Sequence, residues 1–530
     1  MQRGVARLTA DELEAALRIV ERSGVCKLTP PLFEVAAIRH CWDRIRPLLM
    51  KVDLKQHEMH PALTLIAPKQ RYAVRPLHLL DPLDAIVYSA LVRRLAPSIE
   101  RARIPTAKRT VFSYRFPAQG AADFELQMQH PAFERRLKSL SERYRYVAVA
   151  DIADFFANAY LHRLRNALID ASSLDGEARL IYTWLSRWSP GAASSQGIVL
   201  GPLASNVLAE ALLVEVDDFL ADRRLVFARY VDDYYIFCRS ESSGIEALHL
   251  LAGRLMEEEH LGLNMAKSEV MRTTRLIKRL ASPTARLRPK RREFVEQLLG
   301  GNTYGSVELA ALPALQRKAV DLESAQEMLR QAIRAKTMNF TETGYALQVL
   351  GSLRSVSAAK LVVKNLAALA PAAQEVGRFL ISIEDIDITR LREIGKDVLA
   401  FIQSDTFKTA FQSIWLLEPF TRASRWSEGT ADSALIRIAS SDRSPLVQRQ
   451  ALLALALSPK RASRLEVKSA RSHSSPWVRR ASLLGLRSLP RDEREHSFPR
   501  FKEWTLENAL DQATVEYATL LVAAPSSPQP

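Results

Sequence analysis

The stretch from Arg229 to Cys238 places the strongest constraint on the fold, because two adjacent carboxylates interrupt an apolar and aromatic run. Both halves of the stretch have the composition of buried strands. The pattern therefore predicts a β-hairpin with Asp232 and Asp233 at its tip. Neighbouring carboxylates in apolar surroundings repel each other unless a cation or a proton neutralises them, so a divalent metal is one explanation. An ordinary Asp-Asp turn without chemistry is the other.

Length, charge and cysteine content narrow the class of protein. A chain of 530 residues is too long for one hydrophobic core, so two or three domains are expected. The formal net charge of +15 fits a polyanionic partner such as nucleic acid, with a merely basic soluble protein or an anionic membrane surface as alternatives. Three widely spaced cysteines, Cys26, Cys41 and Cys238, support neither a disulfide framework nor a cysteine-type zinc site. With no long apolar stretch, we expect a soluble, cytoplasmic protein without membrane contact.

A second candidate acid lies upstream of the hairpin. Residues Tyr146 to Asp151 have the pattern of a short apolar strand, and helical spacing follows them. Asp151 is therefore predicted at a strand end, where sheets often present functional groups. A lone acid at this position can equally cap the following helix.

The segment from Ser194 to Asn206 is rich in small residues and leads into an apolar helix. Gly197, Gly201 and Pro202 allow the backbone to approach a ligand closely, and the helix start offers free N–H groups. A plain connecting loop is the alternative.

Cations recur in three segments of the chain. Lys69 and Arg75 lie in a strand-like run ahead of a helix that is predicted to begin near Asp81. These two cations can bind phosphate, or they can simply be solvated charges on an exposed strand face. The run from Arg101 to Phe116 mixes cations with rings that can stack on bases. Ten cations between Lys267 and Arg292 form a candidate contact with a polynucleotide backbone. The candidates named from this segment are Arg275, Lys278, Arg279, Arg288, Lys290 and Arg291.

Apolar residues recur at helical spacing beyond about Phe294. The segment that begins at Pro445 aligns with the segment that begins at Pro476, an offset of 31 residues. A proline at the helix start, then basic residues and a leucine-rich face, is typical of stacked helical hairpins of HEAT type. The sequence thus predicts a basic connection at 281–300, an all-α helical repeat domain at 301–522 and a disordered tail at 523–530.

Taken in order, the motifs resemble the palm of the reverse transcriptases. The segments that carry the resemblance are Asp151–Phe156, Gln196–Pro202, Tyr230–Asp233 and Leu263–Lys267, and it covers roughly residues 30 to 280. It implies an α+β right-hand polymerase, with N-terminal helices and fingers in 1–145 and a palm with an antiparallel sheet in 146–280. The all-α HEAT-like repeat domain would follow.

The resemblance also implies roles for single residues. Asp151, Asp232 and Asp233 would be the catalytic acids and would hold two Mg²⁺ ions for nucleotidyl transfer. Phe156 matches the ring that excludes a ribose 2′-hydroxyl, so deoxynucleotides (dNTPs) should be preferred. The other residues expected to bind the nucleotide are Lys69, Arg75, Gln196, Gly197 and Lys267, and Lys267 is also a candidate general acid toward pyrophosphate.

Residues Asn158–His162 and Ser205–Glu210 look like the bacterial abortive-infection and other defence-associated reverse transcriptases, with retron and group II intron enzymes also similar. The resemblance implies an RNA-directed DNA polymerase of antiphage defence that copies a non-coding RNA into DNA. The helical repeats would hold that RNA, a partner protein or another copy of the chain. Two alternatives stay open: template-independent or protein-primed DNA synthesis by the same site, and a non-catalytic RNA-binding scaffold with a polymerase fold.

Overall fold

The computed structural model describes residues 7–117, 129–188, 195–280, 322–426, 431–458 and 460–523. The chain forms two compact units. The first comprises Met1–Lys27, Arg46–Thr64 and Leu77–Ala285, and the second comprises Leu28–Ile45, Leu65–Pro76 and Arg286–Pro530. Each unit is therefore assembled from segments that alternate along the chain. The domain boundaries predicted at residues 145, 280, 300 and 522 stay predictions, and the basic connection at 281–300 and tail residues 524–530 lie outside the described residues.

Helices and strands up to residue 280 are α1 (Ala10–Ser23), α2 (Phe33–His40), α3 (Trp42–Lys51), β1 (Leu63–Gln70), β2 (Ala73–Leu79), α4 (Pro82–Ala102), α5 (His130–Ser141), β3 (Tyr146–Asp151), α6 (Phe155–Asn158), α7 (Leu161–Ser172), α8 (Asp175–Trp188), α9 (Leu203–Leu212), α10 (Val214–Asp222), β4 (Val226–Tyr230), β5 (Asp233–Cys238), α11 (Glu241–Arg254), β6 (Glu269–Arg272) and α12 (Thr273–Leu280). A π-helical turn, Leu255–Glu259, extends α11. The helix start predicted near Asp81 is confirmed, since the Asp81 side chain accepts the backbone N–H of Leu83. None of the described helices has the length and apolar character to cross a membrane.

Four strands of the first unit form an antiparallel sheet in the order β4-β5-β3-β6. Val147, Val149 and Phe237 of this sheet pack in one buried cluster with Phe133 and Leu137 of α5. Burial of one face fixes the register of the strands, because a shift of one residue would turn every apolar side chain to the other face. The antiparallel sheet and the hairpin at residues 229–238 are thus as predicted, while the right-hand arrangement of fingers and palm stays a prediction.

Residues Leu261 to Glu269 have strand-like apolar spacing, which predicts a strand there. That prediction is wrong over most of its length, since β6 begins only at Glu269. Asn264 starts a turn instead, and its carbonyl accepts the backbone N–H groups of Lys267 and Ser268 at 3.0 and 2.9 Å. Asparagine favours turns because its side chain bonds to nearby backbone, here to the N–H of Ala266.

The described part of the second unit beyond residue 321 is helical. Its helices are α13 (Leu322–Arg334), α14 (Phe340–Ser352), α15 (Val356–Lys364), α16 (Ala373–Ser382), α17 (Ile388–Gln403), α18 (Ala410–Arg422), α19 (Ala431–Ser441), α20 (Pro445–Leu455), α21 (Arg461–Ser469), α22 (Pro476–Gly485), α23 (Arg491–Ser497) and α24 (Ala509–Ala523). Even-numbered helices from α14 to α24 pack each against the next, and so do the odd-numbered helices from α15 to α21. The helices predicted at Pro445 and Pro476 are confirmed, and the HEAT-like character of the array stays a prediction.

Two arginines at matching positions of the repeated segments approach one buried glutamate. Arg449 Nη2 lies 2.7 Å from Glu34 Oε2, and Arg480 Nε lies 3.9 Å from Glu34 Oε1. All three side chains are at least 96% buried. Because Glu34 belongs to α2, the N-terminal residues 28–45 are an integral part of the helical unit.

We expect the substitution Glu34→Ala to lower the free energy of unfolding by about 3–5 kcal/mol, since it leaves the Arg449 guanidinium buried without its carboxylate. Urea denaturation followed by circular dichroism measures the change. The matched control is Arg354→Ala, which removes an exposed pair with Asp385 and should cost less than about 1 kcal/mol. Equal losses in the two variants would contradict the importance of the buried pair.

Candidate active site

Three acids meet where β3 ends and the β4–β5 hairpin turns. Asp151 is the last residue of β3, and the strand register pairs it with Asp233, the first residue of β5. The N–H of Ile152 donates to the carbonyl of Asp232 at 3.2 Å, which ties the strand end to the turn. Asp151 is buried, and Asp232 and Asp233 are partly buried. The structure therefore brings together the three carboxylates that the sequence singled out.

Both carboxylate oxygens of Asp151 bind donors from the turn at residues 264–267. Asn264 Nδ2 donates to Oδ1 at 2.9 Å, and Lys267 Nζ donates to Oδ2 at 2.7 Å. The backbone N–H of Asn264 also donates to the Asp151 carbonyl at 2.7 Å. Asn264 thus holds both the backbone and the side chain of the acid.

The three acids around Lys267 shift the pKa of its ammonium group. Burial lowers the pKa of the Lys267 ammonium, but the hydrogen bond to Asp151 and the charges of Asp151, Asp233 and Asp232 raise it, and the net pKa is above its ordinary value. The side chain therefore stays positively charged. Three carboxylates beside one ammonium form a set of hard oxygen donors with excess negative charge, which fits a divalent cation such as Mg²⁺.

Backbone hydrogen bonds place the Gln196-Gly197 loop beside the segment that follows Asp151. The N–H of Gly197 donates to the Ala159 carbonyl at 2.9 Å, and the N–H of Ile198 donates to the Phe156 carbonyl at 2.7 Å. Gly197 has a φ of 103°, which favours glycine. The exposed Gln196 and the partly buried Phe156 therefore lie on adjoining segments of the same unit.

Close packing fixes the other end of this loop. Gly201 has a φ of 144°, and a Cβ there would lie 2.7 Å from the His78 carbonyl oxygen and 2.9 Å from Cys26 Sγ. The His78 ring accepts the N–H of Leu200 at Nδ1, over 3.1 Å. Burial lowers the pKa of His78 to about 4. The loop is therefore held by a neutral histidine.

The predicted phosphate-binding cations Lys69 and Arg75 lie on β1 and β2. Both fall in the segment Leu65–Pro76, which groups with the second compact unit, whereas the three acids belong to the first. Their contact with a triphosphate stays a prediction.

The cations of α12 that are predicted to contact nucleic acid are exposed, and two of them pair with a carboxylate. Arg275 and Arg279 lie 2.9 and 2.5 Å from the carboxylate oxygens of Glu269, and Lys278 is exposed. Arg288, Lys290 and Arg291 lie outside the described residues. Nucleic-acid binding by all six cations stays a prediction.

The expectation that the run from Arg101 to Phe116 offers cations and rings to bases is wrong for three of its members. Phe112, Arg103 and Arg115 are buried. Arg103 pairs with Glu210 at 2.7 Å, and Arg115 donates to the Val111 carbonyl at 3.0 Å. These residues stabilise the interior of the first unit.

Neither Asn264 nor His78 has a role that the sequence pattern alone predicts. Asn264 lies inside the motif Leu263–Lys267, and an asparagine within strand-like spacing is a turn signal that could have been used. His78 carried no such signal, since the residue that it contacts is 122 positions away.

Comparison with known proteins identifies one domain of the chain. Residues 67–295, which include all three acids, match the family model described as reverse transcriptase (RNA-dependent DNA polymerase). The chain therefore contains a reverse transcriptase domain, a nucleotidyltransferase of the RNA-directed DNA polymerase type.

No curated protein sequence matches the chain. Among solved structures, one similar chain is the telomerase of Candida albicans in complex with a fragment of telomeric RNA. The similarity covers 80% of this chain and 67% of that chain, with a TM-score of 0.30 and 12% sequence identity. A TM-score this low supports no conclusion about fold or function.

We expect acid to destabilise the protein through His78. Its ordinary pKa of 6.5 falls to about 4 in the folded state, so between these values the unfolded chain binds a proton that the folded chain does not. Stability is then complete above pH 6.5 and is lost as the pH falls toward 4, by at most roughly 3 kcal/mol. Urea midpoints measured against pH should show a shallower acid slope in His78→Asn. The control His249→Asn, at an exposed position, should keep the wild-type slope, and identical slopes in all three proteins would contradict the assignment.

Proposed function

We propose that the protein is an RNA-directed DNA polymerase that makes DNA by two-metal nucleotidyl transfer at Asp151, Asp232 and Asp233. One observation carries the proposal: these three carboxylates are adjacent where β3 ends and β4 turns into β5, inside the segment that matches the reverse transcriptase family. A template RNA, dNTPs and a DNA product are the partners that this activity requires.

Asp151, Asp232 and Asp233 would supply oxygen ligands to two Mg²⁺ ions. When bound, the ions supply the charge that lowers the pKa of a primer 3′-hydroxyl and stabilises the leaving pyrophosphate. Asn264 orients the Asp151 carboxylate by its hydrogen bond to Oδ1. Lys267 keeps a proton at Nζ because its pKa is raised, so it can donate that proton to the pyrophosphate.

Four further residues would select and hold the nucleotide. Phe156 lies five positions after Asp151 and is hydrogen-bonded through its carbonyl to the loop of Gln196 and Gly197. We assign to its ring the exclusion of a ribose 2′-hydroxyl and to the loop the lining of the nucleotide pocket. Lys267 lies against Asp151 on the same site.

We assign the protein to bacterial antiphage defence, on the resemblance of Asn158–His162 and Ser205–Glu210 to the defence-associated enzymes. The template would be a non-coding RNA. The helical unit, proposed to be a HEAT-like array, would hold that RNA, a partner protein or a second copy of the chain. The formal charge of +15 supports a polyanionic ligand, and the cytoplasm would be the site of action.

Replacement of Asp232 or Asp233 by Ala should reduce dNTP incorporation at least about 100-fold, since even the loss of a residue that only supports a metal ligand can cost that much. The assay measures labelled dNTP incorporation on an RNA template with a DNA primer in Mg²⁺. Asp170→Ala, which removes an exposed acid of α7, is the matched control and should retain activity. Unchanged synthesis in Asp232→Ala would contradict the assignment.

The same assay separates the alternatives. Product sequences that follow the template support RNA-directed synthesis, whereas sequences that ignore it, or DNA linked covalently to the protein, favour template-independent or protein-primed synthesis. Absence of synthesis by the wild-type protein across metals and templates would favour a non-catalytic scaffold.

The substitution Phe156→Ala should raise incorporation of ribonucleotides relative to deoxynucleotides by about tenfold or more, because it removes the bulk assigned to exclusion of the 2′-hydroxyl. The ratio of kcat/KM for GTP and dGTP measures the change. Phe219→Ala removes a ring of α10 in the same unit, stacked on Arg223, and should leave the ratio at its wild-type value. An unchanged ratio in Phe156→Ala would exclude Phe156 as the selecting residue.

A further inference from the structure

The turn that carries the candidate metal ligands contains a backbone conformation that its residue type disfavours. Val231, between Tyr230 and Asp232, has a φ of 57°. A left-handed conformation is costly for a β-branched residue. Such a conformation persists only where the surrounding structure fixes it.

Side chains hold both backbone groups of Val231. Its N–H donates to Ser113 Oγ at 2.9 Å, and its carbonyl accepts from Arg229 Nη1 at 2.9 Å. Ser113 and Arg229 are fully buried. Two hydrogen bonds with buried side chains thus fix the turn at the residue that precedes Asp232.

Glu210 fixes the direction of the Ser113 hydroxyl. The hydroxyl donates to Glu210 Oε1, and because it has a single proton, a lone pair must face the N–H of Val231. Glu210 Oε2 accepts from Arg103 Nη2 at 2.7 Å and lies 3.0 Å from Arg229 Nη2. One carboxylate therefore orients both groups that hold Val231.

The charges of this buried cluster balance. Arg103 and Arg229 face Glu210 and Asp217, and Arg229 Nε donates to Asp217 Oδ1 at 2.8 Å. All four side chains are buried. Because a buried charge is costly to separate from its partner, the cluster is a rigid support for the turn.

We propose that Ser113, oriented by Glu210, is a positioning residue for Asp232. It holds Val231 in the left-handed conformation and thereby directs the carboxylate of the next residue toward a divalent cation. Ser113 acts through the backbone. This inference rests on the proposed role of Asp232 as a metal ligand.

A purely structural role would have a different signature. Loss of the hydroxyl would then lower the melting temperature while the affinity for a divalent cation stayed the same. Direct measurement of cation binding separates the two roles without recourse to activity.

The test measures Mn²⁺ binding to the full chain by electron paramagnetic resonance. Ser113→Ala should weaken Mn²⁺ binding about tenfold, as is common for residues that orient a metal ligand, and Ser113→Thr, which keeps the hydroxyl, should restore it. Ser205→Ala removes an equally buried hydroxyl of the same unit, bonded to Tyr88 at 3.1 Å, and should bind Mn²⁺ like the wild type. Wild-type affinity in Ser113→Ala would overturn the proposal.

Two further variants keep the test decisive. Glycine adopts positive φ without steric cost, so Val231→Gly combined with Ser113→Ala should recover part of the lost affinity. No recovery would assign the loss to general damage and overturn the proposal. Should Ser113→Ala fail to fold, Ser113→Cys keeps a similar volume with a weaker acceptor and should weaken Mn²⁺ binding in the same direction.

Different results would contradict the proposed function and this inference. If Asp232→Ala leaves Mn²⁺ affinity and DNA synthesis unchanged, the metal site itself is wrong. If Asp232→Ala abolishes Mn²⁺ binding and Ser113→Ala leaves it at the wild-type value, only the positioning role is wrong.

Discussion

Antiparallel pairing of β3 with β5 is the interaction on which the candidate site depends. It sets Asp151 opposite Asp233, two residues that are far apart in the sequence. The pairing is kept in register by the apolar cluster of Val147, Val149 and Phe237 against α5, since a slip of one position would expose these side chains. Hydrophobic burial therefore keeps the acids close together, although their like charges repel one another.

Two polar clusters of different character support the acids. Asn264 and Lys267 approach Asp151 from an exposed turn, where Lys267 is half-exposed. Ser113 and Arg229 hold the hairpin turn from a fully buried network. The first cluster is partly open to solvent, whereas the second is constrained by the cost of separating buried charges. Asp151 is thus supported from the solvent side, and the turn that carries Asp232 is supported from the interior.

Local sequence pattern was enough to predict several elements and the position of the acids at strand ends, and not enough to predict what holds them. Strand β3, the hairpin, and the helix starts at Pro82, Pro445 and Pro476 each follow from chemistry within about ten residues. The supports do not, because Ser113 and Val231 are 118 positions apart, and Leu200 and His78 are 122 positions apart. Buried contacts of this kind leave no periodic trace in a single sequence. The strand predicted from Leu261 is wrong because Asn264 begins a turn, in which its carbonyl accepts the N–H groups of Lys267 and Ser268.

The pairing of Glu34 with Arg449 has a consequence for biosynthesis. The two residues are 415 positions apart, so at typical translation speeds the glutamate leaves the ribosome roughly 20 to 80 seconds before its arginine is made. During that interval α2 lacks the helices that bury it, and its apolar face and charge must remain in water or on a chaperone. The pair that ties α2 to the helical unit can therefore form only after residue 449 has been made.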